Sequence, residues 1–169
     1  MATALARSNL RFLPCDWRAA AIAIALSIAA VTAFILILDC FLFRAHLPAN
    51  YVAFYTSPLS PRLQAICVLA AYEEVKFRLL LMTALCVVVA AFWKQTPPGW
   101  CFMLIIIAVQ FANVGAFILN NPDPAYTSLR YLAVGSIWGW LYWKHGWLSA
   151  LIGHSSAHIF LDPLLLRAL

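Results

Sequence analysis

The sequence predicts an all-α, polytopic transmembrane helical bundle with about five membrane-spanning helices. Three observations carry this expectation. Of 169 residues, 65% are hydrophobic and 10% charged, against ~25% charged in an ordinary soluble domain. The apolar residues gather into runs at about 17–43, 63–93, 100–119, 126–143 and 147–169, and a crossing needs ~20 residues. Prolines, tryptophans and basic residues punctuate the ends of these runs, as at membrane interfaces.

The first sixteen residues form a short basic tail, expected to be frayed. Run 17–43 is rich in Ala, Ile and Leu and reads as an anchor helix, too long to be a removed signal peptide. Its polar residue Asp39 lies near the outer end and is expected at the interface, with Arg44 as a partner within reach. Residues 44–62 hold Pro48, Pro58 and Pro61 beside Tyr51, Phe54 and Tyr55. That composition suggests a segment lying on the membrane, and a lid is a role it could serve.

Run 63–93 is longer than a crossing requires, so it is tilted or extends past the bilayer. Within it stand Glu73, Glu74, Lys76 and Arg78. A charge at mid-bilayer costs ~2.5–3.5 kcal/mol on insertion scales, so such residues pair or face a polar cavity. Glu74 and Arg78 are i,i+4 and can pair, and Glu73 and Lys76 are i,i+3 and can do the same. Adjacent residues are turned by ~100° on a helix, so the two carboxylates cannot share one partner geometry. Counted from Leu63, Glu73 lies ~15 Å down the helix, near mid-bilayer.

Run 100–119 carries two amides, Gln110 and Asn113, which need partners in lipid, and Gly115 for close approach. Residues 120–124, Asn-Asn-Pro-Asp-Pro, form a turn. Run 126–143 has a small-residue face of Gly135, Ser136 and Gly139 and an aromatic belt about the Lys144–Gly146 turn. The last run carries His154 and His158 on one helix face, and Asp162-Pro163 is expected to interrupt it. The histidines can bind a metal, hold a water or stabilise an oxyanion.

Composition excludes several classes. The net charge of +5 forms no basic cluster or stripe of the kind nucleic-acid binding needs. The five cysteines show no paired spacing, so neither a disulfide framework nor a thiolate metal site is expected. No internal repeat supports a transporter using the same Glu and His residues. Arg7, Arg11, Arg18, Lys94 and Lys144 fall on one side of a five-crossing topology, which favours a cytoplasmic N-terminus.

Polar residues on three helices suggest a shared cavity that activates water. Glu73-Glu74-x-x-x-Arg78, then Val109-x-x-x-Asn113, then His154-x-x-x-His158 resembles the CPBP family of intramembrane proteases. This is the CAAX-protease and bacteriocin-processing group that includes the prenyl-protein endoprotease Rce1. The family pattern is EExxxR, FxxxH and HxxxN or a similar ending; here the second motif has Val for Phe and Asn for His. The resemblance covers about residues 63–162. It implies a catalytic helical core at 63–169, with 1–62 as tail, anchor helix and interfacial connection. It implies that Glu73 activates water, that Glu74 with Arg78 sets its position and charge, and that Asn113 replaces a water-orienting histidine. His154 and His158 would line the oxyanion side.

The expected function is therefore an intramembrane endopeptidase acting on a membrane-associated protein or peptide, by a glutamate-type mechanism with no cofactor. Asn113 is a poor zinc ligand, although the family has also been described as metalloproteases, and a zinc-dependent protease is one alternative. A non-catalytic immunity or scaffold member of the same fold is the other. The small size suggests a bacterial enzyme of the inner membrane, and its substrates could include proteins with a sorting helix, as for myxosortase-like members.

Overall fold

A computed structural model describes residues 4–169, and among them it is built of helices with no strand. The expected all-α membrane bundle is what forms. The helices are α1 (Ala4–Ser8), α2 (Trp17–Leu42), α3 (Ala49–Thr56), α4 (Leu59–Phe92), α5 (Gly99–Leu119), α6 (residues 124–145) and α7 (Trp147–Ala168).

Helix starts follow local chemistry. Asp16 caps α2 by accepting from the amides of Arg18 and Ala19 at 2.9 and 3.0 Å. Asp123 caps α6 through the Tyr126 amide at 2.9 Å, with Pro124 pre-set for the first turn. The start of α7 has no side-chain cap. Its first amides, Trp147 and Leu148, donate to the carbonyls of Arg11 and Phe12 at 3.0 and 3.1 Å. The tail expected to fray is therefore docked at these residues; its first three lie outside the described residues. The docking needs Gly146, which has φ +93° and no room for a Cβ, since one would stand 2.9 Å from the Leu13 carbonyl carbon.

Among the described residues, three helices are long and apolar enough to cross a membrane: α2, α4 and α5. Their outward faces carry exposed Leu26, Phe41, Val68, Leu80 and Phe92. Such a surface matches lipid and would be a liability in water. The other two expected crossings are continuous helices of similar length. They are less apolar because Arg130, Lys144, the histidines and Asp162 lie in them. α7 does not break at Pro163 but runs on to Ala168. One proline removes only one helix amide, and the preceding Asp162 is fixed by Arg62 at 3.2 Å.

α7 is the central helix, packed against α2, α4 and α6. The core about it holds Phe102, Met82, Trp138, Leu141 and Leu161, each no more than 2% exposed. α4 is one uninterrupted helix of 34 residues, about 51 Å at 1.5 Å per residue, so it reaches beyond the others.

Among the described residues, three stretches wind as π-helix: Leu38–Leu42 in α2, Glu74–Met82 in α4 and Ser128–Ala133 in α6. Each carries buried charge: Asp39 in the first, Glu74 and Arg78 in the second, Arg130 in the third. A π-turn displaces part of the i→i−4 ladder and is frequent at functional sites. Hydroxyls take up carbonyls at the ends of two of them, Thr83 Oγ1 to Arg78 at 3.4 Å and Ser136 Oγ to Leu132 at 2.8 Å.

Candidate active site

The second π-segment presents two adjacent carboxylates to different surroundings. Glu74 is fully buried. Its Oε1 lies 3.6 Å from Arg78 Nε and 2.9 Å from His154 Nδ1, so the i,i+4 pair expected from the sequence forms. Its backbone carbonyl accepts the Trp147 indole N–H at 3.0 Å. Arg78, 1% exposed, donates through Nη2 to Gln110 Oε1 at 2.5 Å and to the Gly135 carbonyl at 3.0 Å. Glu74 Oε2 and Arg78 Nη1 are buried without a hydrogen-bond partner.

Glu73 is half-buried and lines a cavity of about 790 Å³. Asn113 Nδ2 donates to its Oε2 at 3.1 Å. The expected pair between Glu73 and Lys76 does not form. Lys76 is exposed on the outer face of α4 over the Tyr72 and Phe77 rings, at 5.5 and 4.9 Å. The widened π-turns after Glu73 swing the two side chains apart.

His154 and His158 both line the cavity. Their rings lie 5.4 Å apart, and His154 stacks on Trp138 at 5.5 Å. His158 Nδ1 lies 3.4 Å from Asp162 Oδ1. The structure thus forms two contacting sets on neighbouring residues, Glu73 with Asn113 and Glu74 with Arg78 and His154, and Glu73, Arg78, His154 and His158 line the same cavity. Among the described residues, no group of three or more His, Cys, Asp or Glu is gathered as a metal site would need.

Asn113, level with Glu73, lies four residues from the middle of α5, about 6 Å, and six residues, about 9 Å, from the end that carries the 120–124 turn.

α3 closes that end. Asp39, expected at the interface with Arg44 for a partner, is instead fully buried. Its Oδ2 faces Arg130 Nη2 at 3.2 Å, Tyr126 donates to Oδ1 at 3.0 Å, and Tyr51 of α3 donates to Oδ2. Arg130 in turn donates to Tyr55 Oη at 3.3 Å and to Tyr51 Oη, and its guanidinium lies 4.8 Å from the Tyr51 ring centre. Burial pushes the Tyr51 phenol far above its ordinary range, and the Arg130 charge opposes that shift. The other end of α3 is held by Arg62. Its Nη1 donates to the carbonyls of Tyr55 and Ser57 at 2.6 Å each, while Nε reaches Asp162 at 3.2 Å.

Sequence reasoning missed this second set. No partner was assigned to Arg62 or Arg130, and Asp162 was read with Pro163 as interrupting the last helix. The available signal was an acid and a base each set in an apolar run, which in lipid must find one another. The cavity opens past Phe54, Leu69 and Phe117, which line it and are exposed at 41%, 53% and 52%.

A family model for Rce1-like type II CAAX prenyl endopeptidases matches residues 55–160. The chain belongs to this family. It is a membrane-embedded endopeptidase of the CAAX type. The match spans α4 through most of α7, the helices that bear the carboxylates, Asn113 and the histidines, while the docked tail and α2 lie outside it. No curated protein and no solved structure matches this Rce1-like chain.

Proposed function

We propose that the chain hydrolyses a peptide bond of a membrane-associated protein or peptide with a water activated by Glu73. The observation that carries this reading is the division between the two carboxylates. Glu74 is buried against Arg78 and His154, whereas Glu73 reaches the cavity wall with Asn113 on one oxygen. A base must touch the water it deprotonates, and only Glu73 is so exposed.

In this mechanism Asn113 fixes Oε2 of Glu73, and the other oxygen takes a proton from water as the oxygen attacks the substrate carbonyl. Asn113 orients but cannot accept that proton. The contact of His154 Nδ1 with Glu74 fixes the imidazole, which lines the side where the oxyanion forms. Glu73 then passes its proton to the departing amine. His158 lines the same side, held by Asp162. Arg78 balances Glu74 so that the two adjacent carboxylates coexist.

The rim of Phe54, Leu69 and Phe117 supports a lipid-attached or membrane-embedded substrate, which can slide in from the bilayer between α3, α4 and α5. We assign catalysis to 63–169, with residues 1–62 supplying the anchor and the α3 cover. The basic residues at the run ends support a cytoplasmic N-terminus.

The test uses an internally quenched farnesylated peptide ending in a CAAX sequence, with purified wild type and Glu73→Gln, and zinc counted by mass spectrometry. Cleavage without stoichiometric zinc, lost in the variant, supports the glutamate mechanism. Stoichiometric zinc that disappears in His154→Ala would replace it with a metalloprotease. Absence of cleavage in both forms would favour a non-catalytic immunity or scaffold role.

A further inference from the structure

Gln110 belongs to none of the family motifs, yet it occupies the joint between two π-segments. It is 3% exposed. Its Oε1 accepts from Arg78 Nη2 at 2.5 Å, and its Nε2 donates to the Tyr131 carbonyl at 3.0 Å. Tyr131 belongs to the π-segment of α6 and Arg78 to that of α4. The neighbouring helix is cut away to admit the amide. A Cβ on Gly135 would stand 2.1 Å from the Gln110 side chain, and the Gly135 carbonyl is the second acceptor for Arg78.

The Arg78 guanidinium therefore has two fixed acceptors on its Nη2, while Nη1 has none. Its contact with Glu74 is long, 3.6 Å. A charge held this loosely to its carboxylate depends on what anchors its far edge. The amide is suited to that anchoring. It offers an acceptor without a competing charge, and its own donor is committed to a backbone carbonyl, so it cannot flip.

We propose that Gln110 is a positioning residue for the hydrolytic site: it holds Arg78 against Glu74 and so leaves Glu73 free to act on water. The proposal rests on reading Glu73 and Glu74 as the catalytic carboxylates. It predicts that Gln110 acts through Arg78 and has no contribution once Arg78 is gone.

The experiment reads the carboxylic-acid C=O stretch in the infrared, on detergent-purified protein at neutral pH, with the Glu74 contribution identified by its loss in a Glu74→Gln background. Wild type, Gln110→Met, Gln110→Glu, Arg78→Met and Arg78→Met/Gln110→Met are compared. Met removes both hydrogen bonds at similar volume, and Glu draws the guanidinium onto a new carboxylate. The expected result is a Glu74 acid band in both Gln110 variants, as in Arg78→Met, with nothing added in the double variant. With the farnesylated peptide, kcat falls about ten- to a hundredfold, as for loss of a charge-assisted hydrogen bond, and KM stays unchanged.

A folded Gln110 variant without the acid band would overturn the proposal, as would a kcat loss that adds to that of Arg78→Met. If Gln110→Met does not fold, Gln110→Glu, which keeps the shape, decides alone. If wild type leaves the peptide intact, the protease reading falls, and the infrared comparison still decides the role of Gln110.

Discussion

Two groups of buried charge border the same cavity in this bundle, and they differ in how fully they are satisfied. In the Asp39–Arg130 group both carboxylate oxygens are engaged, by Arg130, Tyr126 and Tyr51, and the guanidinium reaches two phenols as well. In the Glu74–Arg78 group one carboxylate oxygen and one guanidinium nitrogen are buried without partners, and Glu73 beside them faces the cavity. Thr32 Oγ1 is the one other orphaned buried side-chain atom among the described residues. A saturated buried pair specifies an arrangement of helices. A pair left short keeps bonding capacity for something that enters. The difference separates the charges that hold α3 from those we assign to hydrolysis.

The largest effect is expected at the open group. Glu73→Gln should reduce cleavage of the farnesylated peptide by about a thousandfold, the scale of losing a general base. Its thermal unfolding midpoint in detergent should stay near that of wild type. A large drop in that midpoint would mean that Glu73 is structural and that the contrast fails.

The saturated group should behave in the opposite way. Asp39→Ala leaves Arg130 buried without its countercharge, a loss of about 3–5 kcal/mol. The expected outcome is a lower unfolding midpoint with residual activity per folded molecule. Asp39→Ala/Arg130→Met should recover part of the stability. If the double variant is no more stable than the single one, the two residues are not energetically one unit.

Smaller effects sharpen the boundary. Asn113→Ala frees one oxygen of Glu73, and kcat should fall about tenfold, while stability changes little. Tyr51→Phe removes one hydrogen bond to Asp39, worth about 1 kcal/mol. It should loosen α3, seen as faster protease nicking near residue 57, and alter KM more than kcat. The least change is expected for Lys76→Ala on the exposed face of α4, where both activity and the unfolding midpoint should match wild type.

Particular residues show how far the sequence reached. Glu73, Glu74, Arg78, Asn113 and His154 were legible as a set. An ionisable or amide group inside an apolar run is conspicuous, and i,i+4 spacing fixes which of them share a face. Gln110 was legible as an intramembrane amide but not as the support of Arg78, since its partners lie on two other helices. Asp39 was misread as interfacial because its partners, Arg130 and Tyr51, are remote in the chain and each stood near the end of its own element. Lys76 was paired with Glu73 on α-helical spacing, and the π-winding of Glu74–Met82 altered that spacing.

Hydrophobicity and local spacing thus determined by themselves that the chain is a membrane helical bundle, about where its five long helices run, and which polar residues must be sheltered. These depend on the transfer of side chains out of water and on a fixed helical repeat, both local properties. Only the tertiary structure decided how the shelter is arranged. It set which carboxylate is enclosed and which faces the cavity, how α3 is pinned at both ends, and where the α-helices widen into π-turns. Those outcomes depend on which helices lie side by side, because a buried charge has no water to turn to and its partner is whatever the packing brings within reach.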